Sequence, residues 1–270
     1  ILANQAAELE AQGRTSVAYQ PEARPALAEE VAMMRAVAMA EQTGSPVYAV
    51  HVSSERALRV AQAARARGLP FFIETRPIYL HLTRERFDGP DAGLYVGQPP
   101  LREQSDQDAL WEALANGTID VVGTDHVAYS REDKLDPSQT ITNHRAGMNH
   151  LQMLRPLLFS DGVLAGRISV ERFVEVTATN PAKLFGIFPE KGTIAVGSDA
   201  DLVLWDPEET RTVRDQDMLS ATGFSIYAGW EVTGWPVVTL RRGEVVFEGG
   251  EITGQAGTGR LLERSRWEER

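Results

Sequence analysis

Between residues 47 and 123 the apolar positions switch repeatedly between a strand-like and a helix-like period. Val47-Tyr-Ala-Val50 is a short apolar run, and from 55 to 67 Ala57, Leu58, Ala61 and Ala64 recur at helical spacing. Ser53 or Ser54 is placed to cap that helix and Gly68 to stop it. Pro70-Phe-Phe-Ile-Glu74 predicts a short buried strand. After a loop to about Glu103, Ser105-Asp-Gln-Asp108 has the form of a capping box with Asp in place of Glu. It would open a helix with Leu110, Trp111 and Leu114 on one face, closed by Asn116-Gly117. Ile119-Asp-Val-Val122 then predicts a third strand. Upstream, Pro25, then Leu27, Val31, Met34 and Ala38, with Gly44 at the end, predict one more helix. Strand, helix, strand, helix, strand implies an α/β fold of parallel strands joined by right-handed crossovers.

The pattern changes near residue 190. Asn180-Pro181-Ala182 predicts a helix start with Pro in its first turn. From Gly192 onward short strands alternate with turn signals at Arg242-Gly243 and Gly249-Gly250, which predict hairpins in a small β-sandwich. The expected organisation is a parallel-sheet part over 1–190, a β-sandwich segment over 191–258 and a charged tail over 259–270.

Composition narrows the function. At 270 residues and 43% hydrophobic, the chain can bury a sizeable core. A formal charge of −11 argues against nucleic acid or an acidic membrane surface as partner. No cysteine is present, so disulfides and thiolate metal sites are excluded, and a reducing, cytoplasmic setting is expected. No run of about 18 apolar residues offers a membrane span.

Against that background two strand ends carry candidate chemistry. His51 ends the first apolar run, and Asp125 follows Val121-Val-Gly-Thr124 where the third strand gives way to loop. Catalytic groups of (β/α)-barrels sit at the C-terminal ends of strands, and an imidazole and a carboxylate on one rim can share a divalent metal. His126 is a candidate for orienting Asp125 from behind. Glu74 has the placement of a strand-end structural carboxylate. Arg102 is expected to pair with a loop carboxylate, and His81, His144 and His150 to lie in loops or at the surface.

These segments, in order, resemble the cyclic amidohydrolases, most of all dihydropyrimidinases and hydantoinases. The resemblance rests on His51-Val-Ser-Ser54, Glu74-Thr75 with Pro77 and Tyr79-Leu80, and Pro99-Pro-Leu-Arg102. It continues through Gly123-Thr-Asp-His126, Asn143 with Gly147, Asn180-Pro-Ala-Lys-Leu-Phe-Gly186, and Lys191 to Pro207. It implies a (β/α)₈ TIM-type barrel joined to a β-sandwich, and two metals, usually zinc, bridged by a carbamylated lysine. It further implies a small cyclic-amide substrate and a homo-oligomer, a tetramer. On that resemblance His51 is a metal ligand, and Asp125 both binds metal and shuttles the proton. Asn143 and the residue at Gln98 would contact the substrate ring.

The resemblance also shows departures. Gln98 stands where hydantoinases carry serine, Arg76 where their Glu-Thr-Cys-Pro pattern has cysteine, and Met148-Asn149 where an aliphatic residue and Glu are usual. The family's first-strand His pair, bridging lysine and fifth-strand histidine match nothing in the chain. The expectation is therefore the C-terminal part of a metal-dependent cyclic-amide hydrolase, inactive alone. An allantoinase or dihydroorotase and a non-catalytic scaffold relative are the alternatives.

Overall fold

The chain forms two compact units, 1–154 with 213–229, and 155–212 with 230–270. The structure, a computed structural model, describes residues 1–266. In the first unit a three-stranded parallel sheet runs in the order β1 (Val47–Ala49), β2 (Phe71–Thr75), β3 (Val121–Val122). The register pairs Val47 with Phe71 and Thr75 with Val122. All three strands therefore end on the same side.

Helices Glu55–Ala66 and Gln104–Ala115 make the two crossovers. The first is capped by Ser54, whose hydroxyl accepts from the Ala57 N–H at 3.3 Å, and Gly68 follows it at φ 83°. Its Ala57, Leu58, Ala61 and Ala64 are all buried, in one core with Phe71, Ile73, Leu110, Leu114 and Ile119. Burying such side chains is the main stabilising term, about 1.5–3 kcal/mol for each large one. Arg65 fastens this helix to the sheet, donating to the carbonyls of Phe71 and Thr118 and pairing with Asp120. Asp120 in turn accepts the Ile73 N–H at 2.7 Å.

One local expectation is corrected. The second crossover helix starts at Gln104 without a side-chain cap, and Ser105-Asp108 forms no capping box. Instead Asp106 Oδ1 accepts the Glu55 N–H at 2.8 Å, capping the neighbouring helix across space. Pro181 does stand in the first turn of an α-helix, Asn180–Leu184, as expected. It lies within helical backbone running from Val170 to Leu184, of which Glu175–Thr179 is widened to π geometry. Proline lacks the N–H that a regular turn would use, so a widened turn just before it leaves no donor wanting.

In the second unit β4 (Leu202–Thr212), β5 (Glu231–Arg241), β6 (Glu244–Glu248) and β7 (Glu251–Ile252) form one antiparallel sheet in chain order. Both predicted turns close hairpins. Arg242-Gly243 has φ 51° and 81°, and Gly249-Gly250 has 59° and 88°, the two positive φ angles that a tight two-residue turn requires. Phe159, Phe173 and Trp205 pack ring against ring at 5.1–5.7 Å. A Cβ on Gly234 would strike the Phe159 ring at 2.2 Å, so only glycine lets the strand pass.

Candidate functional site

The backbone itself marks the strand ends. His51 and Asp125, one after β1 and one after β3, both adopt left-handed backbone at φ 47° and 49°. Arg242, in its hairpin turn, is the only other non-glycine residue with positive φ among the described residues. Such conformations cost about 1–3 kcal/mol each and cluster where function holds them. Here the sheet order puts β2 between the two residues, and the residue that follows β2 is Arg76.

Arg76 is 1% exposed. Its Nη1 donates to Asp125 Oδ2 at 2.6 Å, whereas the Asp125 side chain is half open to solvent at 52%. The guanidinium lies 4.9 Å from the Tyr79 ring centre, and its Nε and Nη2 find no acceptor among the described residues. A guanidinium keeps its charge at any working pH, so Asp125 is held by a fixed cation. His51 feels the same group. Burial lowers its pKa first, the Arg76 charge lowers it further, and Asp125 works in the opposite direction.

Glu74 explains how the rim is kept in shape. Its carboxylate accepts the Tyr48 hydroxyl at 2.7 Å and the His51 N–H at 3.2 Å, tying β1 to β2. A Cβ on Gly123 would sit 2.5 Å from that carboxylate, so the glycine before Asp125 makes room for it. Thr75 Oγ1 donates to the Val52 carbonyl at 2.8 Å. The strained His51 backbone is thus gripped from β2 on both sides.

The other expected residues separate into two groups. Gln98 and Asn143 are both exposed. Gln98 Nε2 lies 3.2 Å from His144 Nε2, next to Asn143, so the two ring-contacting candidates stand on segments that touch. Gln98 also shares a groove of about 490 Å³ with His51, Tyr48 and Arg102, a groove that Asp125 does not line. His126 holds no carboxylate. Its Nδ1 accepts the backbone N–H groups of His150 and Leu151 at 3.0 and 3.1 Å.

His150 lies in a loop, as expected, but is 2% exposed, and burial pushes its pKa well down. The Arg102 expectation needs amendment. Arg102 does pair with a carboxylate, but that of Glu29 in the helix Ala26–Thr43, at 3.1 Å, while also donating to Ser53 Oγ and the Arg24 carbonyl.

Lys134 is a residue that sequence reasoning missed. In the sequence it closes the charged run Arg131-Glu-Asp-Lys134, which has the look of a solvated turn. In the structure it is 2% exposed and donates to three carbonyls, those of Val96 at 2.8 Å, Arg145 at 2.8 Å and Gly147 at 2.7 Å. No periodicity could have found it, because a single turn of helix carries none.

As a metal site the described residues fall short. They hold no cluster of three or more potential ligands, and of the pair His51 and Asp125 the carboxylate is already bound by Arg76. A structural or catalytic zinc takes at least three protein ligands. The donor set present here does not fit a metal by itself.

Fold and rim together define a mixed α/β protein whose parallel strands deliver an imidazole, a guanidinium and a carboxylate to one side. A family model, the amidohydrolase family, matches residues 2–246, and the chain belongs to that family. It is 40% identical to a D-hydantoinase of Ralstonia pickettii over 96% of this chain and 57% of that protein. It is 39% identical to a D-phenylhydantoinase of Escherichia coli O1:K1, over 97% of the chain and 58% of that protein. The solved structure of a D-hydantoinase (dihydropyrimidinase) from a Thermus species superimposes with a TM-score of 0.94 at 38% identity. It covers 97% of this chain and 58% of that one. The chain thus spans less than two thirds of the relatives it matches. No helix among the described residues is long and apolar enough to cross a membrane.

Proposed function

We infer that this chain carries the proton-handling rim of an enzyme that hydrolyses a cyclic amide such as a hydantoin or a dihydropyrimidine. The observation that bears most weight is Asp125: strained, half exposed and clamped by a buried arginine at the end of a parallel strand. Ring opening needs a base to take a proton from the attacking water and an acid to give one to the leaving nitrogen. A carboxylate positioned by Arg76 can do the first and, once it has taken that proton, the second. Gln98 and Asn143 would meet the polar edge of the ring, and His51 lines the groove beside Gln98. The rim belongs, in this reading, to a (β/α)₈ barrel with a β-sandwich, in a homo-oligomer.

A divalent-metal centre, two zinc ions in the fullest form of the reading, would need donors that the described residues do not supply. That part rests on family membership and on the 57% span of the relatives. The corresponding expectation is that the 270-residue chain alone opens no ring. A non-catalytic relative is the second reading, favoured by the Arg76 guanidinium on the one carboxylate a metal would need.

One assay separates them. Hydantoin, dihydrouracil, allantoin and dihydroorotate are offered to the protein containing this chain and to Asp125→Asn. The expected result is turnover of a hydantoin or dihydrouracil by the parent, lost at least about 1000-fold in the variant, as for removal of an essential acid–base group. A variant that keeps near-parental turnover refutes the role of Asp125. A parent that opens none of the rings leaves the scaffold reading.

A further inference from the structure

Lys134 has a position that the reaction chemistry does not explain. Its three ammonium hydrogens are all used on backbone carbonyls, one on the segment leading to Gln98 and two on the segment following Asn143. An ammonium offers three donors and no acceptor, so this cage uses its full capacity. The two segments are also joined directly, the Gly147 N–H donating to the Val96 carbonyl at 3.0 Å. The second continues into Met148, whose carbonyl accepts the Val127 N–H at 3.1 Å, two residues beyond Asp125. Further ties converge here. Gln20 Nε2, fully buried, donates to the Gly97 carbonyl at 2.6 Å. Gln139 Nε2 donates to the Lys134 carbonyl at 2.8 Å, while its Oε1 accepts the Arg145 N–H at 2.6 Å.

We propose that Lys134 is a positioning residue: a buried ammonium latch that holds the Gln98 and Asn143 segments together as one substrate-facing surface beside Asp125. The assignment of that surface to substrate rests on the function proposed above; the latch itself rests on the three carbonyl contacts. A lysine kept only for solubility would face water, and one kept for ion pairing would face a carboxylate. This one faces carbonyls whose carriers are otherwise loops, where backbone groups not bonded to one another need another partner. Burial also pushes its pKa down to about 7, so the three-donor ammonium form of the cage belongs to the acid side of neutral pH.

The test reads the latch first and substrate second. Amide hydrogen exchange is measured on this 270-residue chain and on Lys134→Met, which keeps the length of the stem and removes the donors. Exchange in 93–98 and 143–148 is expected to speed at least about tenfold, the loss of one net hydrogen bond's worth of protection. Protection in Glu55–Ala66 and Phe71–Thr75 stays at the parental level. Unchanged exchange in both loop segments overturns the proposal.

If Lys134→Met fails to fold, the parent alone decides by heteronuclear correlation of its lysine ammonium groups. Lys134, Lys183 and Lys191 are the lysines of the chain, and Lys183 is exposed. The Lys134 ammonium protons must persist while those of Lys183 exchange out; equal rates overturn the latch. In the hydantoin-opening protein the same variant is expected to raise KM for hydantoin about tenfold with kcat within about threefold, since ordering a binding surface acts on uniform binding. A fall in kcat at constant KM overturns the positioning role. A parent without hydantoin turnover refutes the proposed function, while exchange still judges the latch.

Discussion

Asp125 is asked to be reactive and restrained at once. Its backbone is strained and its carboxylate half exposed, yet among the described residues it is the only hydrogen-bond acceptor for a guanidinium that has almost no access to water. Asp125→Asn is therefore expected to cost stability as well as turnover, because a buried cation loses its counter-charge. Exposure of the carboxylate lets water share the load, so the loss should be about 1–2 kcal/mol in urea unfolding. Arg76→Met removes the stranded charge. In the double variant the two costs should fail to add by at least about 0.5 kcal/mol, and strictly additive midpoints would mean that the pair is not coupled. Both strand-end residues were legible in the sequence, because an imidazole or carboxylate ending a β-branched run stands out. The Arg76 partner was not legible. The residue is visible as a departure in Glu74-Thr-Arg-Pro77, but nothing local says that its side chain reaches across to β3. Lys134 was hidden for the opposite reason, since its charged neighbours disguise a residue that turns inward.

Elements followed the sequence wherever side-chain spacing alone determined them. The helix Glu55–Ala66 was legible from its alanine and leucine positions and its Ser54 cap, and both glycine-marked hairpin turns form. The Asn180-Pro181 helix start held, with proline in the first turn, whereas the Ser105 capping box failed because it depends on what lies outside the local window. Pro181 is accommodated by a widened turn before it, and the cap of the second crossover helix was replaced by Asp106 reaching to another helix. The end of β3 offers a sharp test of how elements support the site. A methyl on Gly123 would press on the Glu74 carboxylate, which is what holds Tyr48 and the His51 N–H. Gly123→Ala should destabilise the first unit by about 1–3 kcal/mol, in the range of an overpacked core. The His51 amide resonance should shift with it. A stable variant with an unmoved His51 signal would mean that Glu74 relaxes freely and does not shape the rim.

At the scale of the whole molecule, the change of pattern near residue 190 and the division into compact units answer different questions. Composition marks where short strands begin. Compactness groups 155–212 with 230–270 because β4 pairs with β5 and the Thr233 N–H donates to Ser160 Oγ. The first unit also carries a pH response, and its sign can be worked out. Lys134 has a pKa of about 7 in the fold against an ordinary 10.5. Between those values the unfolded chain binds the proton and the folded chain does not, so unfolding takes up protons and stability rises with pH. Below about pH 7 both states are protonated and the full penalty of burying the charge is present; above about 10.5 it is gone. His51, His126, His144 and His150 are likewise held below their ordinary 6.5 by burial, which adds loss of stability on acidification below that pH. Urea midpoints should therefore climb from pH 7 to 9, and Lys134→Met, folded or restored by a compensating background, should flatten that climb while keeping the drop below 6.5. The size is a few kcal/mol at most, each pKa unit being worth about 1.4. A parent whose midpoint is flat from pH 7 to 9, or a variant that climbs as steeply as the parent, would show that burial does not depress the Lys134 pKa.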